Sequence, residues 1–449
     1  MSLSLFSLAD FSLSRTAVVL VAVAALASFD LFSRMHRRQS HLLFACIFGT
    51  VIAVGLIKTV GMFLQPGLQE NPHAMALGLL LIVLCWKALF GPWEAQTKAA
   101  VLGTFLFWVA FLTLLKQTPE QRAVHLIAAG VALIPAAVWC ALFLKYHAER
   151  MSNVLLMFFA GMLSTFPILL YDAFVRRGIE LQFFLFRITP ESFSRTSQMF
   201  VSGQVLDGGV RRALFSSLLS FLIVGVIEET SKYWVLSHSG RRLFTSIDDA
   251  LQLSIIVAIG FAFAENVINP VYFPGFVREY LMGADPNVPG FIGNVLGRSV
   301  LTSMVHIVST GICGYFLGLS IFAAPYLAER RAQGKHYHVI HWCKGLFGME
   351  ETAIFRIQML LTGLASAILL HAAFNFLVTF PDLIPGNPTT LGELLGKPDT
   401  FLDMVPLLLF PSLFYVVGGF WLLSWLFLRK ESMEERGRVV PVNVLITEN

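Results

Sequence analysis

The chain has 449 residues, of which 56% are hydrophobic and only 13% are charged. Soluble domains carry about 25% charged residues, so this composition excludes an ordinary soluble protein and predicts a polytopic membrane protein. The formal net charge of +4 gives no reason to expect a nucleic-acid partner, because in membrane proteins the placement of Lys and Arg matters more than their sum.

Apolar stretches long enough to cross a bilayer recur along the chain. A membrane-spanning helix needs about 20 apolar residues. The stretches that meet this need predict an all-α transmembrane helical bundle of about eleven spans. The predicted spans are residues 16–32, 42–64, 74–90, 99–115, 124–144, 152–174, 213–236, 247–269, 299–323, 355–378 and 402–428.

Basic residues predict the orientation of these spans. Arg34, Arg37 and Arg38 follow the first apolar run instead of preceding it, which argues against a cleaved signal peptide. We therefore expect an uncleaved first span with its N-terminus outside. Basic segments recur in alternate loops, for example "AERRAQGKHYHVIHWCKG", and the tail that begins "RKESMEERGR" is expected to be cytoplasmic.

The chain divides by chemistry into four segments. Residues 1–175 form a transmembrane module of about six spans whose role the sequence does not indicate. Residues 176–210 form a loop, part of which ("IELQFFLFRI") could lie in the membrane interface. Residues 211–380 are expected to form a four-helix membrane core, and residues 381–449 hold the last span and the tail.

Four consecutive spans, which lie within the core segment, hold polar side chains where lipid would be expected. A charged side chain at the centre of a bilayer costs at least about 2.5–3.5 kcal/mol, so these groups must face one another or a wet cavity. Helical spacing supports a shared site, because Glu228 and Lys232 lie on one face of their helix. The polar residues are Glu228, Glu229, Lys232, Glu265, Asn266, Arg298, His306, His371 and Asn375.

Two of the carboxylates are adjacent in sequence on one helix. Glu228 and Glu229 lie about 100° apart around the helix axis, so only one can point straight at a site. The other is expected to pair with Lys232 or to hold the first carboxylate in place. His306 shares a helix face with Thr310, and His371 shares a face with Asn375.

These residue types suit water activation. Two imidazoles with two or three carboxylates match the ligands of a divalent ion, and catalytic zinc commonly binds His and Glu with one position left for water. The ion lowers the pKa of that water to about 7, and a nearby Glu can then act as general base. A buried Glu could also activate water without a metal, and the residues alone leave both mechanisms open.

Two other classes of function remain open at this point. Intramembrane Glu and His chains also serve as proton relays in proton- or ion-coupled transporters, although we see no inverted repeat in the sequence. The polar groups could instead stabilise a non-catalytic membrane scaffold. In that case replacement of these groups would lower expression or stability instead of turnover.

The order of four motifs resembles the PrsW family of intramembrane proteases. The motifs are "EETSK", "FAFAEN", "RSVLTSMVH" and "HAAFN", each on its own predicted span within residues 211–378. The resemblance implies a metallopeptidase of a bacterial-type cytoplasmic membrane. It also implies cleavage of membrane-anchored protein substrates, such as site-1 cleavage of an anti-sigma factor.

The resemblance also implies roles for individual residues. The expected catalytic residues are Glu228, Glu229, Glu265, His306 and His371. Three of them, Glu265, His306 and His371, are the expected ligands of a divalent metal, with zinc as the first choice. The expected supporting residues are Lys232, Asn266, Arg298 and Asn375.

The predicted spans leave a mismatch in depth. At 1.5 Å per residue, Glu228 lies roughly 12 Å from the inner end of its span, whereas Glu265, His306 and His371 lie roughly 6–12 Å from the outer ends of theirs. Straight helices with these bounds would not bring the side chains to one level. A convergent site therefore requires different helix bounds or a tilted or displaced helix.

Overall fold

The computed structural model describes residues 42–63, 72–91, 93–176, 181–183, 186–188, 197–334, 337–397 and 399–434. The predicted first span, the orientation of the N-terminus and the tail beyond residue 434 lie outside these residues. The chain divides into two compact units. One comprises residues 1–126 and 150–160, and the other comprises residues 127–149 and 161–449.

Nearly all regular structure is helical, which confirms the predicted fold class. The first six helices are α1 (Leu42–Phe63), α2 (Pro72–Leu89), α3 (Ala95–Leu115), α4 (Pro119–Phe143), α5 (Met151–Leu163) and α6 (Phe166–Arg176). Two three-residue strands, β1 (Leu181–Phe183) and β2 (Phe186–Ile188), then pair antiparallel. They lie within the predicted loop of residues 176–210, whose position in the membrane interface stays a prediction.

The following helices make up the rest of the described chain. They are α7 (Ser197–Gly240), α8 (Ile247–Ile268), α9 (Phe273–Phe276), α10 (Val288–Gly297), α11 (Ser303–Ile321), α12 (Ala323–Ala332), α13 (His338–Phe347), α14 (Glu351–Leu383), α15 (Leu391–Leu394), α16 (Leu409–Ser412) and α17 (Gly419–Glu434). Single π-helical segments follow α9 (Val277–Leu281), join α10 to α11 (Arg298–Thr302) and join α16 to α17 (Leu413–Gly418). A short 3-10 helix covers Phe401–Met404.

Eight described helical stretches are long and apolar enough to cross a membrane. They are Leu43–Val60, Ala95–Leu115, Pro119–Phe143, Met151–Tyr171, Ile247–Leu281, Val288–Ile321, Glu351–Leu383 and Leu409–Phe427. The predicted span 74–90 corresponds to a shorter apolar helix, Ala76–Leu89, and the span 213–236 lies within α7. A polytopic helical protein is therefore confirmed, whereas the count of eleven stays a prediction.

Helix bounds differ from the predicted ones where they matter for the site. α7 extends the predicted span 213–236 at both ends, so residues 197–210 are helical and not part of a loop. Arg298 is the first residue of the π-helical segment that continues α10 into α11, a type of distortion that is frequent at functional sites. The division of roles at residues 175, 210 and 380 stays a prediction.

Close helix contacts fix the core of the second unit. α11 packs between α8 and α14, and α14 also packs along α7. A Cβ atom at Gly314 would lie 2.0 Å from the Oγ of Ser254, so only glycine permits α11 to approach α8 this closely. A Cβ atom at Gly225 would lie 3.0 Å from the carbonyl oxygen of Ile368, which brings α7 against α14. These contacts set the four helices that hold the predicted site residues side by side.

Candidate active site

Three charged side chains of α7 are buried. Glu228, Glu229 and Lys232 are 4%, 1% and 0% exposed. The Nζ of Lys232 lies 2.7 Å from Oε1 of Glu229 and 3.6 Å from Oε2 of Glu228. Glu229 is thus the main partner of the lysine. This agrees with the expectation that one of the two adjacent carboxylates would pair with Lys232.

Glu229 accepts hydrogen bonds from three helices. Its Oε1 accepts from Lys232 and from Nδ1 of His371 on α14, the latter at 2.8 Å. Its Oε2 accepts from the hydroxyl of Thr310 on α11 at 3.0 Å. Because Nδ1 of His371 donates this bond, its Nε2 carries the free lone pair. That nitrogen lies 3.5 Å from Oε2 of Glu228.

His306 lies between the charged groups of α7 and those of α8. Its Nδ1 lies 2.9 Å from the Nζ of Lys232, and its Nε2 lies 3.2 Å from Oε2 of Glu265. An ammonium group can only donate, so Nδ1 accepts the bond from Lys232 and Nε2 donates to Glu265. The ring of Phe261 packs against both the lysine and the imidazole.

Glu265 occupies the more open edge of the site. Its side chain is 15% exposed, against 5% for Glu228. Nη2 of Arg298 lies 3.2 Å from its Oε2, and the Nε of Arg298 donates to the side-chain oxygen of Asn266. The guanidinium also stacks on the ring of Tyr272. The expected supporting residues Asn266 and Arg298 therefore hold Glu265, which in turn contacts His306.

Asn375, the remaining predicted residue, has fewer polar contacts than the others. Asn375 lies one helical turn after His371 and is partly buried, and its side chain makes no hydrogen bond with the residues that the structure describes. Sequence reasoning missed Phe261 and Tyr272. Phe261 lies four residues before Glu265 on the same helix face, which is a detectable signal. Tyr272 lies in the connection after α8, where no pattern indicates it.

The observed bounds of α7 reduce the depth mismatch. This helix ends at Gly240, about 18 Å beyond Glu228 at 1.5 Å per residue. The predicted end at residue 236 placed the glutamates one helical turn too near that end. In the structure, donor atoms of Glu228, His306 and His371 lie within 4.8 Å of one another.

These three residues form a group that could hold a metal ion. One donor atom from each of Glu228, His306 and His371 lies within 4.8 Å of the other two, and all three residues are buried. Oε2 of Glu228 is buried and has no hydrogen-bond partner among the described residues. The expected ligand Glu265 is outside this group, so the structure offers Glu228 in its place.

A second group of donor atoms lies at the start of α8. His147, Glu149 and Asp249 are close enough to share an ion. The oxygens of Asp249 are already taken, however. Oδ1 contacts Nε2 of His147 at 2.6 Å, and Oδ2 accepts from Thr245 and Ser246. Asp249 therefore belongs to the cap of the N-terminus of α8.

Buried carboxylates, imidazoles and a lysine that converge inside a helical membrane bundle define a polytopic membrane protein with an enzyme-like polar centre. A family model described as PrsW family intramembrane metalloprotease matches residues 149–391. The chain belongs to that family and is an intramembrane protease. No curated protein and no solved structure matches it. The comparisons give no support to an ion-coupled transporter.

Proposed function

We propose that this protease hydrolyses peptide bonds of membrane-anchored protein substrates, with a divalent ion held by Glu228, His306 and His371. One observation supports this assignment above the others. Oε2 of Glu228 is buried without a hydrogen-bond partner among the described residues, 3.5 Å from the free nitrogen of His371. The nearest cation, the Nζ of Lys232, lies 3.6 Å from this oxygen, beyond hydrogen-bond distance. A buried carboxylate oxygen without a hydrogen-bond donor is costly, and a divalent ion would supply the missing partner.

The donor set fits zinc. Two imidazoles and one carboxylate are a common catalytic zinc set, and Glu229 holds His371 through its other ring nitrogen, as carboxylates commonly do for histidine ligands. Among the described residues, the three carboxylates of the site face two permanent cations, Lys232 and Arg298, which leaves one negative charge in excess while the imidazoles are neutral. A divalent ion would supply a Lewis acid for the scissile carbonyl and would lower the pKa of water.

The surrounding residues have separate tasks in this proposal. Glu229 and Thr310 fix the ring of His371. Arg298 and Asn266 fix Glu265, which is the carboxylate that water and substrate reach most easily and is therefore the candidate acid–base group. Lys232 offsets one of the two negative charges that the glutamates of α7 carry.

Lys232 makes contacts that are also compatible with a mechanism without a metal ion. Its ammonium group contacts Nδ1 of His306, and Nε2 of the same ring contacts Glu265, so His306 must give up one contact to bind an ion. Without an ion, the unpaired oxygen of Glu228 would take the proton of the attacking water. An anti-sigma factor is one example of the proposed substrate class.

The test measures metal content and cleavage on one preparation. Wild type and the His306→Ala/His371→Ala double variant are purified in detergent, assayed for zinc per chain, and given a single-span membrane substrate with and without chelator. We expect zinc near one per chain in wild type only, and cleavage that chelator abolishes and zinc restores. Thr310→Ser serves as a matched control, because it keeps the donor to Glu229.

The alternative outcomes separate the assignments. Cleavage by metal-free wild type would contradict the proposed ion and would assign water activation to Glu228. Metal-loaded wild type that cuts no single-span substrate would overturn the proposed substrate class.

A further inference from the structure

A cavity lies outside the active site, where two membrane spans end. α12 follows α11 directly, and α13 lies just before α14, so both short helices adjoin the ends of spans. The cavity between them has a volume of about 490 Å³. Its lining includes Leu327 and Ile340 on the apolar side, and Arg331, His338, His341 and Glu351 on the polar side.

Cationic groups gather around one carboxylate at this cavity. Arg331 forms an ion pair with Oε2 of Glu351, and the Nζ of Lys344 lies 3.1 Å from Oε1. Nδ1 of His341 lies 4.0 Å from the same oxygen. Two permanent cations thus share one anion. The side chains of Arg331 and Lys344 are 55% and 52% exposed, so either can take a second anionic partner.

The helix that forms one wall of the cavity is amphipathic. Ile340 and Cys343 of α13 pack against the apolar cluster that contains Leu327 and Phe355. One turn apart on another face, Trp342 and Leu346 are 67% and 60% exposed. Exposed Trp and Leu beside basic residues, on a helix next to two spans, are typical of a segment in the membrane interface.

We infer that this cavity binds the phosphate of an acidic glycerophospholipid headgroup. Arg331 and His341 donate to the phosphate oxygens, and the acyl chains lie beside Trp342 and Leu346. Glu351 competes with the phosphate for Arg331. Free phosphate offers the same oxygens, but it would gain nothing from the exposed apolar side chains of α13, which is why a lipid is the better occupant.

Because Glu351 and the phosphate compete for Arg331, substitutions of the arginine and of the glutamate should change lipid retention in opposite directions. Full-length protein in zwitterionic nanodiscs is titrated with phosphatidylglycerol, and retained lipid is counted by native mass spectrometry. We expect Arg331→Gln to weaken retention about fivefold and Glu351→Gln to strengthen it by a similar factor. Arg330→Gln is the matched control, because Arg330 contacts the hydroxyl of Tyr326 and does not line the cavity. It should leave retention unchanged.

Two results would overturn the inference. One is equal retention in wild type, Arg331→Gln and Glu351→Gln. The other is displacement of the lipid by inorganic phosphate at a similar concentration, together with unchanged lipid retention in Trp342→Ala. That result would assign the site to a free anion. Misfolding cannot imitate the expected pattern, since a damaged cavity would not bind more tightly in Glu351→Gln.

Discussion

Glu229 accepts a hydrogen bond from Nδ1 of His371 at 2.8 Å, although 142 residues of chain separate the two. The bond joins α7 to α14 and fixes which ring nitrogen of His371 keeps its lone pair. That nitrogen faces Glu228, the residue next to Glu229 in sequence. In our proposal the adjacent glutamates therefore serve different purposes: Glu229 holds a histidine, and Glu228 offers an ion or a proton an oxygen that has no hydrogen-bond donor among the described residues.

The two glutamates should consequently fail in different ways. Glu228→Gln converts the carboxylate into a neutral amide and should lower kcat at least about 10³-fold, with loss of bound metal. Glu229→Gln leaves that carboxylate in place but weakens the hold on His371, for which we expect about 10–100-fold lower activity or metal affinity. Activity and metal content are measured on the same preparations. Equal losses in both variants would contradict the separation of roles.

Lys232 supports the site through its charge. Lys232→Met keeps an unbranched side chain, one atom shorter, but leaves Glu229 and His306 without their shared donor. We expect weaker activity and a displaced pH profile of cleavage, together with a loss of thermal stability, because a buried carboxylate is left without its cation. Lys232→Arg is the charge-conserving comparison. A pH profile identical to that of wild type in Lys232→Met would argue against an electrostatic role.

Thr310 offers a test of Glu229 that leaves every charge in place. Thr310→Val removes only the hydroxyl that donates to Oε2 of Glu229, at nearly constant volume. Loss of one hydrogen bond to a charged acceptor is worth about 1.5–3 kcal/mol, so we expect at least about tenfold lower kcat. Thr310→Ser retains the donor and should stay within about threefold of wild type. Similar kcat values for the two variants would show that the bond does not position the site.

Helical periodicity and the cost of charge in a membrane were enough to predict which residues converge. Glu228, Glu265, His306 and His371 meet because each polar group in four adjacent spans needs a polar partner. The partners themselves were not predictable, because the contact of Glu229 with His371 depends on how two helices rotate and slide. Tyr272 and the π-helical start of α11 have no sequence signal. The end of α7 was misplaced because its last turn is polar enough to resemble a loop.

The cap of α8 provides a variant that should change stability alone. Asp249 accepts bonds from Thr245 and Ser246 and contacts His147, and Ser246 completes a capping box. Asp249→Asn removes the charge that these donors face and should lower the free energy of unfolding by about 2 kcal/mol. Ser246→Ala removes one cap bond and should cost about 1 kcal/mol.

Both cap variants should cut substrate normally below their unfolding temperature, because the cap lies at the opposite end of α8 from Glu265. Thermal unfolding in detergent and cleavage at low temperature provide the two readouts. Full thermal stability with lost cleavage in Asp249→Asn would contradict the capping role. It would place His147 and Asp249 in the reaction instead, as a second site for an ion.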